Sequence, residues 1–280
     1  MPTRRAPGDY VLGRTDAEYL RLIQQAAVLR PSSERFFRAS GLGPGMRVLD
    51  VGCGVADVSF LVADLVGPTG SVLGVDVDEH VLSFAEQRRM ELKRDNVSFL
   101  HTARNSLPPN DMFDAIVGRL VLMYQPDPTE TLRHLATHVR PGGIVAFQEL
   151  ASASVSWQLP NLPLFMNVMR WIRGAFAQSG AHVNLGFELY ARMGDAGLEA
   201  ATPIAEIPLS AGADSGAHER WAALAHSLAP KIVEYGLATE QELDIATLHE
   251  RLRSELLTAD TTVPLFSGVL VGQSARRPHT

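Results

Sequence analysis

The sequence predicts an α/β fold: a parallel sheet with helices on both faces, an N-terminal helix and a helical insertion. Three observations predict it. Apolar runs of four to six residues alternate with stretches of helical spacing from about residue 47 to 148. Gly- and Pro-containing turns separate them, as βαβ units require. The chain has 280 residues and is 46% hydrophobic, enough for one large domain with a buried core.

Residues 1–15 carry Pro and Gly among polar residues and read as irregular. From Asp16 to Leu29, Leu20, Ile23 and Ala27 recur at helical spacing, with Asp16 as N-cap. Gly41–Gly45 is a linker. Arg47–Val51 is the first strand, followed by a helix over Val55–Leu65. Val72–Val75 is the second strand, ended by Asp76, and Asp78 caps a helix running to Lys93. Val97–Leu100 and Phe113–Val117 are the third and fourth strands. Asp127 and Pro128 start the next helix, the acid as cap and Pro at the first helical position. Pro141–Gly143 turns into a fifth strand, Ile144–Gln148. Beyond Leu150 the rhythm changes. A long amphipathic helix covers Pro160–Gln178, another Phe187–Gly197, and a sixth strand Ala201–Leu209. Residues 214–257 are helical, broken near Pro230 and Gly236, and Val263–Gln273 is the last strand. The expected division is an N-terminal cap region over 1–40, a sheet domain over 41–210 and 261–280, and a helical lid over 211–260.

The net charge of −6, with no basic run, argues against nucleic-acid partners. The single cysteine, Cys53, excludes an intrachain disulfide. No apolar stretch approaches the ~18 residues that span a bilayer, and none follows the basic start MPTRR. A cytoplasmic protein without a membrane or nucleic-acid partner is expected; a homo-oligomer is compatible with the sequence.

The stretch VLDVGCGVADVSF (48–60) follows the first strand with a Gly-x-Gly turn, which presents backbone N–H groups and a helix start to a ligand. Asp76 ends the second strand, 24 residues after Gly52, where an acid accepts both hydroxyls of a ribose. The place of the third glycine in a dinucleotide loop holds Asp57, whose charge repels a phosphate at the helix start. Asp50 adds a second negative charge. A ligand with a ribose, a sulfonium and an ammonium group fits better than a nicotinamide dinucleotide, and that describes S-adenosyl-L-methionine.

The same run resembles motif I of class I S-adenosylmethionine-dependent methyltransferases. GSVLGVDVDEHVL, FDAIVGRLVLMYQPDP and RPGGIVAFQEL resemble the later motifs in their usual order, and the match covers about 41–150. YVLGRTDAEYLRLIQQA resembles a segment of bacterial small-molecule, natural-product-type methyltransferases. The resemblance implies a Rossmann-like seven-stranded sheet and S-adenosyl-L-methionine as cofactor. It implies that Gly52, Cys53 and Gly54 lie under the methionine part, that Asp50 orients the loop or the ammonium group, and that Asp57 sits at the helix start beside them. Asp76 would bind the ribose, Val77 pack on adenine, and the Arg119 carbonyl accept from the ammonium group; Tyr19 or Gln25 would close over the cofactor. Two positions depart from the family pattern. Ala56 stands where glycine is usual. Thr102 and Ala103 stand where Gly-Asp is usual, so Asn105 or water meets the adenine amine, with Ala103 and Arg104 at that turn.

Methyl transfer is an in-line displacement, for which positioning alone supplies on the order of 7–11 kcal/mol. A base is needed only for an acceptor that keeps its proton. The acceptor-side candidates are Arg119, Met123, Tyr124, Trp157, Phe165, Met169 and Trp171, with Glu149 as base or as partner of a cationic substrate. Tyr124, Glu149 and His226, the last in the lid, are the catalytic candidates. His134 and His138 are spaced i, i+4 but lack the glutamate of a zinc-hydrolase helix. Leu132, Leu135 and Val139 make the buried stripe, so both histidines are expected to face water, and no metal site is expected. His101 is expected to pack, and Cys53 has no basic neighbour to make it a nucleophile. RLVLMYQP after the fourth strand is apolar and suits a hydrophobic acceptor. The expected function is methyl transfer to O, N or C of a small organic metabolite of the secondary type. The alternative is a protein of the same fold that binds the cofactor and catalyses a pericyclic or isomerising reaction.

Overall fold

Thr15, not Asp16, caps the first helix, α1 (Asp16–Ala39): its hydroxyl accepts the Glu18 N–H at 3.3 Å. The computed structural model describes residues 12, 15–102, 106–108, 111–152, 162–211, 216–259, 262–265 and 268–279. Helix α1 runs ten residues past the expected end, through Pro31, because Leu29, Phe36 and Phe37 continue its buried face. Of the residues at helical spacing, Leu20 is exposed while Ile23 packs against a core cluster, and Glu18, Tyr19, Arg21 and Ala26 are buried beside it.

Five strands and three helices follow. They are β1 (Arg47–Val51), α2 (Asp57–Val66), β2 (Ser71–Asp76), α3 (Glu79–Glu91), β3 (Val97–His101), β4 (Phe113–Arg119), α4 (Pro128–Ala136) and β5 (Val139–Ala151). Asp78 caps α3 and Asp127 caps α4, each accepting backbone N–H groups of the first turn. The helices α5 (Pro163–Gln178) and α6 (Leu185–Asp195) come next. The expected sixth strand is three short ones, β6 (Glu199–Ala200), β7 (Ile204–Glu206) and β8 (Leu209–Ala211), since Pro203 and Pro208 interrupt the ladder. Helix α7 (Ala217–Glu234) passes through Pro230 and ends before Gly236, and α8 (Glu240–Leu243) and α9 (Ile245–Ala259) follow. The last strand is also split, into β9 (Thr262–Pro264) and β10 (Val269–Arg276).

The main sheet has the order β3-β2-β1-β4-β5-β10, with β6 and β7 sharing the far edge of β10, so it spans seven strand positions. β1 to β5 are parallel; β10 runs antiparallel to β5. β8 and β9 form a separate pair. Strand order reverses between β1 and β4, so a crevice opens beyond their C-terminal ends, where ligands bind in such sheets. One core packs Phe36, Phe37 and the apolar side of α2 on the sheet, and a second packs α4 and α6 on the opposite face. A third joins α5, α7 and α9 around Phe165, Trp171 and Trp221, whose Nε1 donates to the Pro264 carbonyl at 3.0 Å. Among the described residues no helix is long and apolar enough to cross a membrane.

Candidate active site

The glycine turn after β1 is built from backbone constraints. Gly52 has φ +66, and its N–H donates to the Val75 carbonyl at 2.8 Å. A Cβ on it would fall 2.3 Å from Val121 Cγ2, so no larger residue fits. Gly54 (φ +53) donates to Asp76 Oδ2 at 3.0 Å, and a Cβ there would meet nothing within 4 Å among the described residues, which leave the space above the turn open. Ala56, which enters α2, is fully buried at φ +71, a conformation that costs a non-glycine residue roughly 1–2 kcal/mol. Its methyl group packs in the core beside α2.

Asp76 is fixed by two backbone donors, Gly54 on Oδ2 and Asp78 on Oδ1, each at 3.0 Å. Each carboxylate oxygen has a further lone pair for a ligand hydroxyl. Burial raises its pKa, and the backbone donors oppose the shift. Tyr19 closes this side: its hydroxyl donates to Asp78 Oδ2 at 3.4 Å and its ring packs against Phe84.

A cavity of about 410 Å³ lies over the turn. Its lining includes Gly52, Cys53, Gly54, Asp76, Val77 and Thr102, with Tyr19 and Gln25 from α1. It also includes Met123 and a set of side chains that pack on the α5–α7–α9 core: Leu120, Tyr124, Leu150, Phe176 and Leu224. Val77 presents an exposed apolar side chain at the rim. The open space over Gly54, the paired oxygens of Asp76 and the apolar rim fit a nucleoside whose tail lies along the turn.

The electrostatics differ from the expectation. Asp57 lines the cavity, but its Oδ1 pairs with Arg88 Nη2 at 2.9 Å, so the charge at the helix start is neutralised. Asp50 does not line the cavity. It is 1% exposed, accepts from Ser59 Oγ at 2.6 Å, and burial pushes its pKa up to about 7. Its carboxyl group therefore ties the end of β1 to α2. The Arg119 guanidinium, attracted by Asp50 and Asp57, donates to Ser33 Oγ at 3.1 Å. With both acids compensated, charge repulsion does not explain why a diphosphate would be refused. The acid on β2 carries the ligand argument.

The catalytic candidates separate. Tyr124 lines the cavity, and burial pushes its phenol pKa well up, so it stays protonated at neutral pH. The expected contact of Glu149 with an acceptor is not what the geometry provides. Glu149 is fully buried outside the cavity lining, and its Oε1 accepts the N–H groups of Val121 at 2.9 Å and Leu122 at 2.7 Å. Burial raises its pKa to about 7, and it acts on the site by holding the turn after β4. His226 is corrected too: it is exposed on α7 and does not line the cavity. Phe165, Met169 and Trp171 pack in the helical core rather than on the cavity. His138 is buried, with Nδ1 3.1 Å from the Asp111 carbonyl, instead of facing water. His101 is exposed, with Nε2 3.1 Å from the Val77 carbonyl. Cys53 is buried with its pKa raised by desolvation, in keeping with an inert thiol. Ala103, Arg104, Asn105 and Trp157 lie outside the described residues.

Sequence reasoning missed a buried ion pair on α1. Arg21 lines the cavity and pairs with Glu18 at 2.7 Å, Glu18 also accepts from Ser227 Oγ on α7 at 3.0 Å, and Arg21 donates to Gln25 at 2.8 Å. The i, i+3 spacing was visible, but opposite charges at that spacing normally mark a solvated face.

Residues 42–189, more than half of the chain, match the family described as methyltransferase domain. A demethylmenaquinone methyltransferase of Listeria welshimeri is 32% identical over 137 residues, covering 48% of this chain and 58% of that protein. The chain thus spans little more than half the length of the curated relatives it matches. Two solved structures share the fold. One is a SAM-dependent methyltransferase from Aquifex aeolicus, with TM-score 0.52, 21% identity and coverage of 68% of this chain and 93% of that one. The other is the [4+2]-cyclase SpnF, with TM-score 0.55, 19% identity and coverage of 90% and 81%. Sheet order, glycine turn, the acid ending β2 and the matched sequence agree: this chain belongs to the class I S-adenosyl-L-methionine-dependent methyltransferase family.

Proposed function

We propose that this chain transfers the methyl group of S-adenosyl-L-methionine to a small, flat, largely apolar organic acceptor of phenol or quinol type. The observation that carries the reading is one cavity with two kinds of lining: Asp76 and the glycine turn, and the apolar Leu150, Phe176 and Leu224 that belong to the helical core. A relative named for demethylmenaquinone supports an acceptor of this chemistry.

The cofactor would be held by Asp76 at its ribose, Val77 beside the adenine, and the backbone of Gly52, Cys53 and Gly54. When bound it supplies an electrophilic methyl group on a positively charged sulfur. The chain's own residues exclude water, orient the acceptor and leave Tyr124 as a hydroxyl donor beside it. Glu149 keeps the Val121–Leu122 backbone in place under the acceptor. The segment 211–260 serves as the acceptor-side lid through Leu224, the cap region 1–40 contributes Tyr19, and 41–210 with 261–280 make the sheet domain. The cyclase neighbour shares only the fold, and a non-methylating reaction would leave the cofactor intact.

The test is incubation with radiolabelled S-adenosyl-L-methionine and a panel of phenols, hydroquinones and amines. Label should enter a phenol or hydroquinone, with demethylated cofactor formed above the acceptor-free rate. If label entered none of the panel, the reading would be wrong.

A further inference from the structure

We propose that His218, Glu219 and His249 form a binding site for a zinc-type divalent transition-metal ion that clips α7 to α9. The site lies outside the cavity and does not depend on the methyl-transfer reading.

His218 and Glu219 occupy the first turn of α7, entered through Gly216 at φ +70. His249 comes from α9, which packs along α7. His218 Nε2 lies 3.8 Å and His249 Nε2 4.0 Å from the same oxygen, Glu219 Oε1. One ligand atom from each residue falls within 4.8 Å of the others. A tetrahedral ion with bonds of about 2.0–2.2 Å wants its ligand atoms roughly 3.3–3.6 Å apart. Closing the remainder takes small torsions in the exposed Glu219 and the half-exposed His249.

His218 is 4% exposed, and its ring lies against that of His249 with centroids 4.8 Å apart, so packing brings both imidazoles to Glu219. Its Nδ1 has no hydrogen-bond partner among the described residues, so either ring nitrogen is available as a ligand. His249 Nδ1 lies 3.4 Å from Glu250 Oε1. That arrangement turns Nε2 toward Glu219, as carboxylates behind metal-bound histidines do. Two imidazoles and one carboxylate, with an open fourth position, suit zinc rather than calcium or magnesium. The clip would fix α7, which brings Leu224 to the cavity wall and Ser227 to Glu18.

The experiment titrates Zn²⁺, and Co²⁺ as a spectroscopic probe, into tag-free, chelator-stripped full-length protein. Expected are one equivalent bound by calorimetry, a tetrahedral Co²⁺ spectrum and a higher melting temperature with Zn²⁺. His249→Ala, a half-exposed position that leaves the fold intact, should weaken binding at least about tenfold and abolish the thermal shift. His134→Ala, at the other histidine pair, should change neither. The proposal is overturned if the native chain binds no equivalent, or if His249→Ala binds as the native chain does.

Discussion

Gly52 is the residue with the least freedom in the site. Its positive φ disfavours any side chain, and the Val121 methyl occupies the space a Cβ would need. Gly52→Ala should cost about 2–4 kcal/mol from backbone conformation and overpacking together. Adding Val121→Ala should recover part of it, as read by urea midpoints. Asp50 makes a pH prediction. In the fold it keeps its proton up to about pH 7, whereas its ordinary pKa is 3.8. Between those values the unfolded chain binds fewer protons, so this group's contribution lowers stability as pH rises and levels off above about pH 7. Glu149, raised to about 7 from 4.5, adds a slope of the same sign. Asp50→Asn should flatten the decline in urea midpoint between about pH 4.5 and 7; an unchanged slope would show that Asp50 is ionised in the fold.

At the scale of elements, the sequence announced strands and caps but not the reach of helices past proline. Asp78 and Asp127 were legible as caps because the cap is a local hydrogen bond. The extension of α1 through Pro31 was not, because Phe36 and Phe37 reward it only once the sheet exists to cover them. Pro31 is exposed and gives its helix neither a donor nor buried surface. Pro31→Ala should therefore stabilise the protein by roughly 1 kcal/mol or more, seen as a higher urea midpoint. A lower midpoint would mean that the ring itself packs. The broken sixth strand has the opposite origin: its apolar residues read as continuous, while Pro203 and Pro208 remove ladder donors.

At the scale of the molecule, the cofactor end of the cavity was legible, since Gly52, Gly54 and Asp76 lie on consecutive β–turn–α units whose spacing is fixed by the fold. Charge compensation was not: Arg88 meets Asp57 from 31 residues away, and only the packing of α3 against the glycine turn brings them together. The acceptor end was hardly legible, because Leu224, Phe176 and Arg21 converge from three separate helices. What remains after these corrections is a nucleoside site defined by the acid on β2 and the open space above the turn. Titration calorimetry with S-adenosyl-L-methionine on the native chain and on Asp76→Ala tests this most directly. Saturable binding by the native chain and a loss of roughly tenfold or more in the variant are expected, measured well below the variant's melting temperature, which loss of the acceptor for the Gly54 and Asp78 N–H groups lowers. Equal affinity in both proteins, or no heat of binding in either, would contradict it.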